Sequence, residues 1–409
     1  MSESNIAEQF KFPVPSGMEP SEPIVVVEDQ QDLRLIVAHH LNKIGYAKVS
    51  HAANGFEAMD VLAKIKQPAI ILCDMDMPVM GGLDLLAELR EKPDVPRGPF
   101  CLMMDDASKA KVMLAVETGV DVLIAKPLTL GDIVPKLKAA FKIFHNPKNP
   151  EKVYELAKNH LKEGRLVDAQ KIYTLLATSA PKAARPAVGL ARVSMKEGKM
   201  DQAIAHLKDA EVRNPNYVHT FAVRGEIFCK MSDWTQAIEA FSKAIEMSPL
   251  NPLRYNSAVE ILFKVTRYQD AADLLATAEK NSLDFPGIHH FHSQALFMLK
   301  DFKGSIKYIK RSLADDPENV VYLNQLGICL KESGDFEEAQ KTYNKVIKID
   351  PENTSALYNK SIMLNAKGDH GEAVKLLERL LKKAPDFALA RAKLEEYKKA
   401  AATAGKPAA

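Results

Sequence analysis

The sequence predicts an α/β domain built on a five-stranded, doubly wound parallel sheet, followed by an all-α solenoid of stacked helix pairs. Three observations carry this. Short β-branched runs alternate with longer amphipathic stretches from Pro23 to about residue 144, the strand signal then stops, and from Pro147 onward a proline recurs at a spacing of 34. A chain of 409 residues is long enough for at least two separately packed units.

The first 22 residues are polar, hold three prolines and show no sustained period. They are expected to form a disordered arm over 1–22. The α/β domain is placed at 23–144. Its strands are IVVV, AKVSHA, AIILC, FCLMM and DVLI, and the stretches after them are 30–44, 54–66, 82–91, 107–117 and 130–144. Strands that read apolar throughout, separated by helices long enough for a crossover, imply a parallel sheet covered on both faces.

Composition narrows the function classes. Hydrophobic residues make up 46% and charged residues 26%, with no apolar run of bilayer length, so a soluble protein without a membrane partner is expected. Lys plus Arg number 55 against 53 Asp plus Glu, a net of +2, which gives no overall field toward nucleic acid or anionic lipid. The start, MSESNIAEQF, lacks a basic-then-apolar secretory pattern, and Cys73, Cys101, Cys229 and Cys329 are too far apart for a metal knuckle. A reducing, cytoplasmic location follows as the expectation. After residue 150 there is no basic recognition helix, Gly-rich phosphate loop or nucleophile triad, so DNA-binding and separate enzymatic outputs are disfavoured.

The second region is a repeat. Pro147, Pro181, Pro215 and Pro249 are 34 apart, Leu283 takes the next place, and Pro317, Pro351 and Pro385 resume. A second column holds Ala169, Ala203, Ala237, Ala271, Ser305, Ala339 and Ala373. Small side chains let two antiparallel helices approach closely, and proline ends one pair and begins the next. The unit Phe221, Gly225, Phe228, Ala237, Phe241, Ala244, Pro249 and the unit Leu326, Gly327, Gly334, Ala339, Tyr343, Pro351 resemble the tetratricopeptide repeat (TPR) family. Seven repeats fit over 150–387, a capping helix over 388–399 and a disordered tail over 400–409. The fifth repeat, with Ser305 and Leu283 in its columns, reads either as a softer joint or as ordinary divergence. Pro147 and Pro150 form a short stiff joint between the regions.

Ligands of open α/β sheets bind beyond the carboxyl ends of the strands. There the first strand runs into Glu28 and Asp29, the third ends in Asp74, and the fifth leads into Lys126-Pro127. Carboxylates brought together repel unless a cation sits between them, and hard oxygen ligands suit Mg²⁺. In CDMDMPVMGG, with the acidic pair and the Lys-Pro, residues 23–142 resemble the response-regulator receiver family, a flavodoxin-like fold. The resemblance implies that Asp74 is the phosphoacceptor, that Met77-Pro78 and Gly81-Gly82 form the following loop, and that a cis peptide precedes Pro127. It also implies that Glu28, Asp29, Asp74 and the main-chain carbonyl of Asp76 hold Mg²⁺, that Lys126 supplies the positive contact, and that the phosphodonor is a sensor histidine kinase or a phosphotransfer protein. The chain then takes part in its own phosphotransfer without a further output enzyme.

Two positions depart from that family. Where receivers carry a switching Ser or Thr at the end of the fourth strand, this chain has Met104, followed by Asp105 and Asp106, and Ser108 reaches the place only with a shortened loop. The later aromatic is Leu123. A weakly switching regulator and a constitutive scaffold, whose receiver only docks, are therefore both open.

In the repeats, Lys162, Lys196, Lys230 and Lys264 stand 34 apart, with Lys158 and Arg192 one turn earlier in the first two. They read either as a strip for an acidic protein segment in the TPR groove or as helix-end cations that favour the dipole. The run His289-His290-Phe291-His292 has no Cys, Asp or Glu within it and reads as a packed aromatic face rather than a metal site.

Overall fold

The computed structural model describes residues 22–404, apart from 44, 93, 94, 97, 146–149, 284 and 286. The expected arm (except residue 22), the last five residues of the expected tail, and Pro147 of the joint lie outside the described residues. Contacts divide the chain into two compact units, up to Asn251 and from Pro252 onward.

In the first unit, β1 (Ile24–Val27), β2 (Val49–Ala52), β3 (Ile70–Asp74), β4 (Phe100–Met104) and β5 (Val122–Ala125) form one parallel sheet in the order β2-β1-β3-β4-β5. The helices between and after them are α1 (Gln31–Lys43), α2 (Gly55–Lys64), α3 (Gly82–Glu91), α4 (Lys109–Thr118) and α5 (Leu130–His145). Strand side chains alternate between faces. Val25, Val27, Ile71 and Leu102 join Leu62 of α2, Leu85 of α3 and Ala115 of α4 in one core, while Ile24, Val26, Ile70 and Met103 join Leu41 of α1 and Leu137 of α5 in the other. Both faces are covered, which is why the central strands β1, β3 and β4 are buried along their whole length, while the edge strand β2 (VSHA) is partly exposed.

Local chemistry sets the helix ends. At the start of α2, the Asn54 carboxamide oxygen accepts from the Glu57 main-chain N–H at 3.0 Å, and the Glu57 carboxylate accepts from Ala53 at 2.8 Å. The first bond satisfies one of the donors that a helix start leaves open, and the second ties the residue before the cap to the first turn. The end of α4 is held from outside, because Arg90 of α3 donates to the carbonyls of Thr118 and Gly119.

Three helix pairs complete this unit: α6 (Pro150–Lys162) with α7 (Leu166–Ser179), α8 (Ala184–Lys196) with α9 (Met200–Arg213), and α10 (Val218–Lys230) with α11 (Trp234–Met247). In the second unit follow α12 (Pro252–Lys264) with α13 (Tyr268–Lys280), α14 (Ile288–Met298) with α15 (Phe302–Asp315), α16 (Val320–Glu332) with α17 (Phe336–Ile349), and α18 (Thr354–Ala366) with α19 (His370–Lys383). A final α20 (Ala388–Ala404) packs on α19 and runs five residues beyond the Lys399 at which the sequence reading ends it. Ala400 and Ala401 are strong helix formers, so the last turns continue where composition alone suggested a tail. No helix among the described residues is long and apolar enough to cross a membrane.

The small-residue column has the predicted mechanical role, since all six alanines and Ser305 are fully buried. A further column lies in the turn inside each pair. Gly164, Gly198, Gly334 and Gly368 have φ of 78°, 79°, 88° and 91°, and at the same spacing Ser232, Thr266 and Lys300 have φ of 59°, 59° and 65°. Every pair turns through a left-handed residue, which glycine adopts freely and a β-branched residue adopts only under strain. Thr266→Gly should therefore stabilise the second unit by about 1 kcal/mol, the relieved strain exceeding the glycine's added unfolded-state freedom. Urea unfolding followed by a probe in that unit measures it, and a loss of stability would contradict the strain.

Candidate active site

Strand order reverses about β1, whose chain leads to β2 on one side and whose other neighbour is β3. A crevice opens there, beyond the strand ends. Glu28 and Asp29 follow β1 directly, and Asp74 is the last residue of β3. Glu28 is fully buried, Asp74 is buried, and Asp29 is exposed at the mouth. One oxygen from each of the three lies within 4.8 Å of the others, the arrangement a hard divalent ion can bridge.

Lys126 enters from β5. Its main-chain N–H donates to the Met104 carbonyl at 2.9 Å, and the peptide to Pro127 is cis. Its Nζ lies 2.9 Å from Asp74 Oδ1 and 3.0 Å from Glu28 Oε2, with only 8% of the side chain exposed. Asp105 Oδ2, on an exposed side chain, stands farther off at 3.8 Å. The β3–α3 loop closes tightly on the site: Gly82 N–H donates to the Met75 carbonyl at 3.0 Å, and a Cβ at Gly82 would lie 2.3 Å from the Asp74 carbonyl oxygen.

Burial holds the Glu28 carboxyl above its usual range, opposed by Lys126 and reinforced by the charge of Asp74. Burial likewise raises Asp74, again opposed by Lys126. For Lys126 burial works the other way, but its bonds to Asp74 and Glu28 outweigh it and hold the ammonium above the usual lysine value. Three carboxylates share one close ammonium, so the pocket has an excess of negative charge made of hard oxygen donors. That chemistry fits Mg²⁺.

Asp76 lies on the loop after β3 with its carboxylate exposed and bound by Lys111 of α4 at 2.7 Å. The switch positions hold no hydroxyl or aromatic ring: Met104 is buried in the core, and Leu123 packs against the same cluster half-buried. Ser108 precedes α4, where its N–H donates to Asp106 at 2.9 Å. The sequence reading missed Arg34 and Lys111. Arg34 of α1 donates to the carbonyls of Glu28 and Asp29 and braces the acidic loop. Its signal was its place in the first turns of the helix after the acidic pair.

The basic column is largely engaged inside the chain. Lys162 pairs with Glu91 of α3, Lys196 donates to the Leu161 carbonyl at 2.8 Å, and Arg192 makes two bonds of 3.1 Å to Glu226. Lys158 lies on α6, while Lys230 and Lys264 are exposed at the ends of α10 and α12. The histidine run sits on α14. His292 stacks on Tyr308 with ring centroids 3.8 Å apart, and Glu279 of α13 approaches His289 and His292 at 3.5 and 3.9 Å. Glu279 is also held by Tyr308 at 2.8 Å and Arg311 at 3.0 Å, as in a packed polar core.

Comparison with known proteins matches this geometry. The profile of the response regulator receiver domain fits residues 24–138. Over 115 residues the chain is 31% identical to a chemotaxis protein CheY homolog of Campylobacter jejuni, covering 88% of that protein and 28% of this chain. It is also 31% identical to chemotaxis protein CheY1 of Helicobacter pylori over 93% of that protein and 28% of this chain. The chain belongs to the response-regulator receiver family. Beyond the receiver, tetratricopeptide repeat profiles fit residues 160–222 and 325–388, so receiver and TPR repeats occur in one chain. The C-terminal part of a TPR repeat-containing protein from Cytophaga hutchinsonii aligns with 59% of this chain and 99% of its own, at 14% identity and a TM-score of 0.48.

Proposed function

We propose that the protein is a response regulator of a phosphorelay, in which Asp74 accepts a phosphoryl group and the TPR stack regulates a protein partner. The observation that carries this is the Lys126 ammonium placed against both Asp74 and Glu28 in an otherwise acidic crevice. An Asp74 carboxylate oxygen forms the new bond to phosphorus as the phosphorus–nitrogen bond of a phosphohistidine breaks, and the imidazole leaves with that electron pair and takes up a proton. Lys126 faces the charge that arrives on Asp74, while Arg34 and the tight turn at Gly82 hold the acidic loop and the Asp74 backbone in place. Mg²⁺, held by Glu28, Asp29, Asp74 and the Asp76 carbonyl, would supply the additional positive charge that phosphoryl transfer demands. The donor in this reading is a sensor histidine kinase or phosphotransfer protein, acting in the cytoplasm.

The test is labelling by a small phosphodonor with Mg²⁺. The wild-type chain should gain one phosphoryl group, and Asp74→Asn and Asp74→Ala should fall to background. Undiminished labelling of both variants would reject Asp74 as the acceptor.

A second reading, a constitutive TPR scaffold whose receiver only docks, is favoured by Met104 and Leu123. Partner capture with and without beryllofluoride, with Asp74→Ala as control, separates the two, since equal capture throughout supports the scaffold. In either reading the partner is a protein or peptide segment in the TPR groove, and at least Lys162, Arg192 and Lys196 of the cations assigned to an acidic one also bond within the chain.

A further inference from the structure

The histidine run on α14 breaks the regularity of the stack. Val153, Ala187, Phe221, Tyr255, Leu323 and Leu357 hold the place of His289 in the other pairs, and all six lie in the buried core. Leu156, Leu190 and Leu326 hold the place of His292 in three of them. His292 is nevertheless only 4% exposed, and the Nδ1 atoms of both rings are buried without a hydrogen-bond partner. Buried polar atoms are seldom left in that state.

The surroundings decide what a proton does there. Glu279 of α13 lies 3.5 Å from His289 Nδ1 and 3.9 Å from His292 Nδ1, but its Oε1 already accepts from Arg311 and its Oε2 from the Tyr308 hydroxyl. Tyr308 of α15 stacks on His292, and Lys307 Nζ and the Arg311 guanidinium stand over the same ring at 5.4 and 5.2 Å. α12 and α16 meet α14 elsewhere, Phe263 against Phe291 and Tyr322 against His290. Among the described residues, His292 thus faces one carboxylate that is already held, while His289, Lys307 and Arg311 all oppose a positive charge on it.

We propose that the histidine run is a proton-sensitive joint between the fourth and fifth helix pairs, in which a proton taken up by His292 puts a surplus cation into the packed interface and frees α14 from α13 and α15. Burial holds the His292 imidazole below the usual histidine range; His289, Lys307 and Arg311 act with it and Glu279 against it. The fold keeps the neutral ring, so the stability it contributes is complete above the unfolded-state value of about 6.5 and is lost as pH falls from there through the folded value. Tyr308 takes no part in this titration, since burial and Glu279 push its hydroxyl up to about 12. The joint is independent of Asp74, so failed labelling there leaves it standing.

The test is native-state hydrogen exchange of the full chain, with intrinsic rates divided out. Between pH 7.5 and 5.5, opening of α14 in wild type should rise relative to that of α17, which carries no histidine. His292→Leu installs the side chain that three other pairs carry there. Its ratio of α14 opening at pH 5.5 to that at pH 7.5 should be about three- to tenfold smaller than in wild type, the effect of one proton taken up by the open state. Burial lowers His290 as well, so the comparison is repeated on a His290→Phe background, where the same reduction is expected. Opening of α14 and α17 in step across the range, which needs no variant to observe, or a His292→Leu chain that keeps the wild-type ratio, would overturn the proposal.

Discussion

Lys126→Met should cost the receiver about 3–5 kcal/mol at neutral pH and slow phosphorylation of Asp74 by about 100- to 1000-fold. The stability loss follows from burial: Glu28 and Asp74 stay out of water at 0% and 3% exposure but lose an ammonium within 3.0 Å of both. Its pH dependence has a definite sign. Both carboxyls already titrate above their usual range, so each contributes stability that is complete below the unfolded-state value and is lost as pH rises through the folded value. Removing Lys126 raises both further, so the deficit should be largest at pH 7 and shrink as acid protonates them. Added Mg²⁺ should recover part of it at pH 7 and less at pH 5. Hydrogen exchange of β1 and β3 under native conditions reads this stability without assuming that the two units unfold together. A deficit independent of both pH and Mg²⁺ would mean that Lys126 acts by packing alone.

Met104→Thr combined with Leu123→Tyr should enlarge the phosphorylation-dependent shift by about 10- to 150-fold, the population change that a hydrogen bond of about 1.5–3 kcal/mol to a charged group produces. Met104 is 1% exposed and packs into the same core as Ala115 of α4. Exchanging it for threonine removes buried apolar volume and should lower receiver stability by about 1–3 kcal/mol, so the variant must be judged by a ratio within itself. That ratio is the change in α4 hydrogen exchange with and without beryllofluoride. If wild type and variant give the same ratio, the missing hydroxyl is not what limits the response.

The acidic crevice was legible because topology and local sequence agree on it: strand-end residues of a parallel sheet meet at one rim, and Glu28, Asp29, Asp74 and Lys126 all occupy strand ends. The repeat was legible because a spacing of 34 survives substitution at single positions. The same regularity bears on the basic column. A side chain repeated every 34 residues lies one repeat away from its neighbour's acceptors, and that is where Arg192 finds Glu226 and Lys196 finds the Leu161 carbonyl. Ser305 looked like an irregularity, yet its hydroxyl lies 2.8 Å from the Ser293 carbonyl and 3.0 Å from the Cys329 sulfur, both buried partners from flanking helices. Arg34 and Lys111 needed helix rotation as well as position. So did Met113, which packs with Val218 and Phe221 of α10, although the unbroken run Val112–Val116 already signalled a helix covered on more than one side.

The bond from Ser248 to Glu117 and the seating of Met113 tie α4 to repeats carried on the same polypeptide. Segments joined by one chain meet at an effective concentration on the order of millimolar, whatever the abundance of the protein. Contact between α4 and the third helix pair is therefore independent of how much of the protein is present. Dilution leaves such a contact intact, and what loosens it must act within the chain itself.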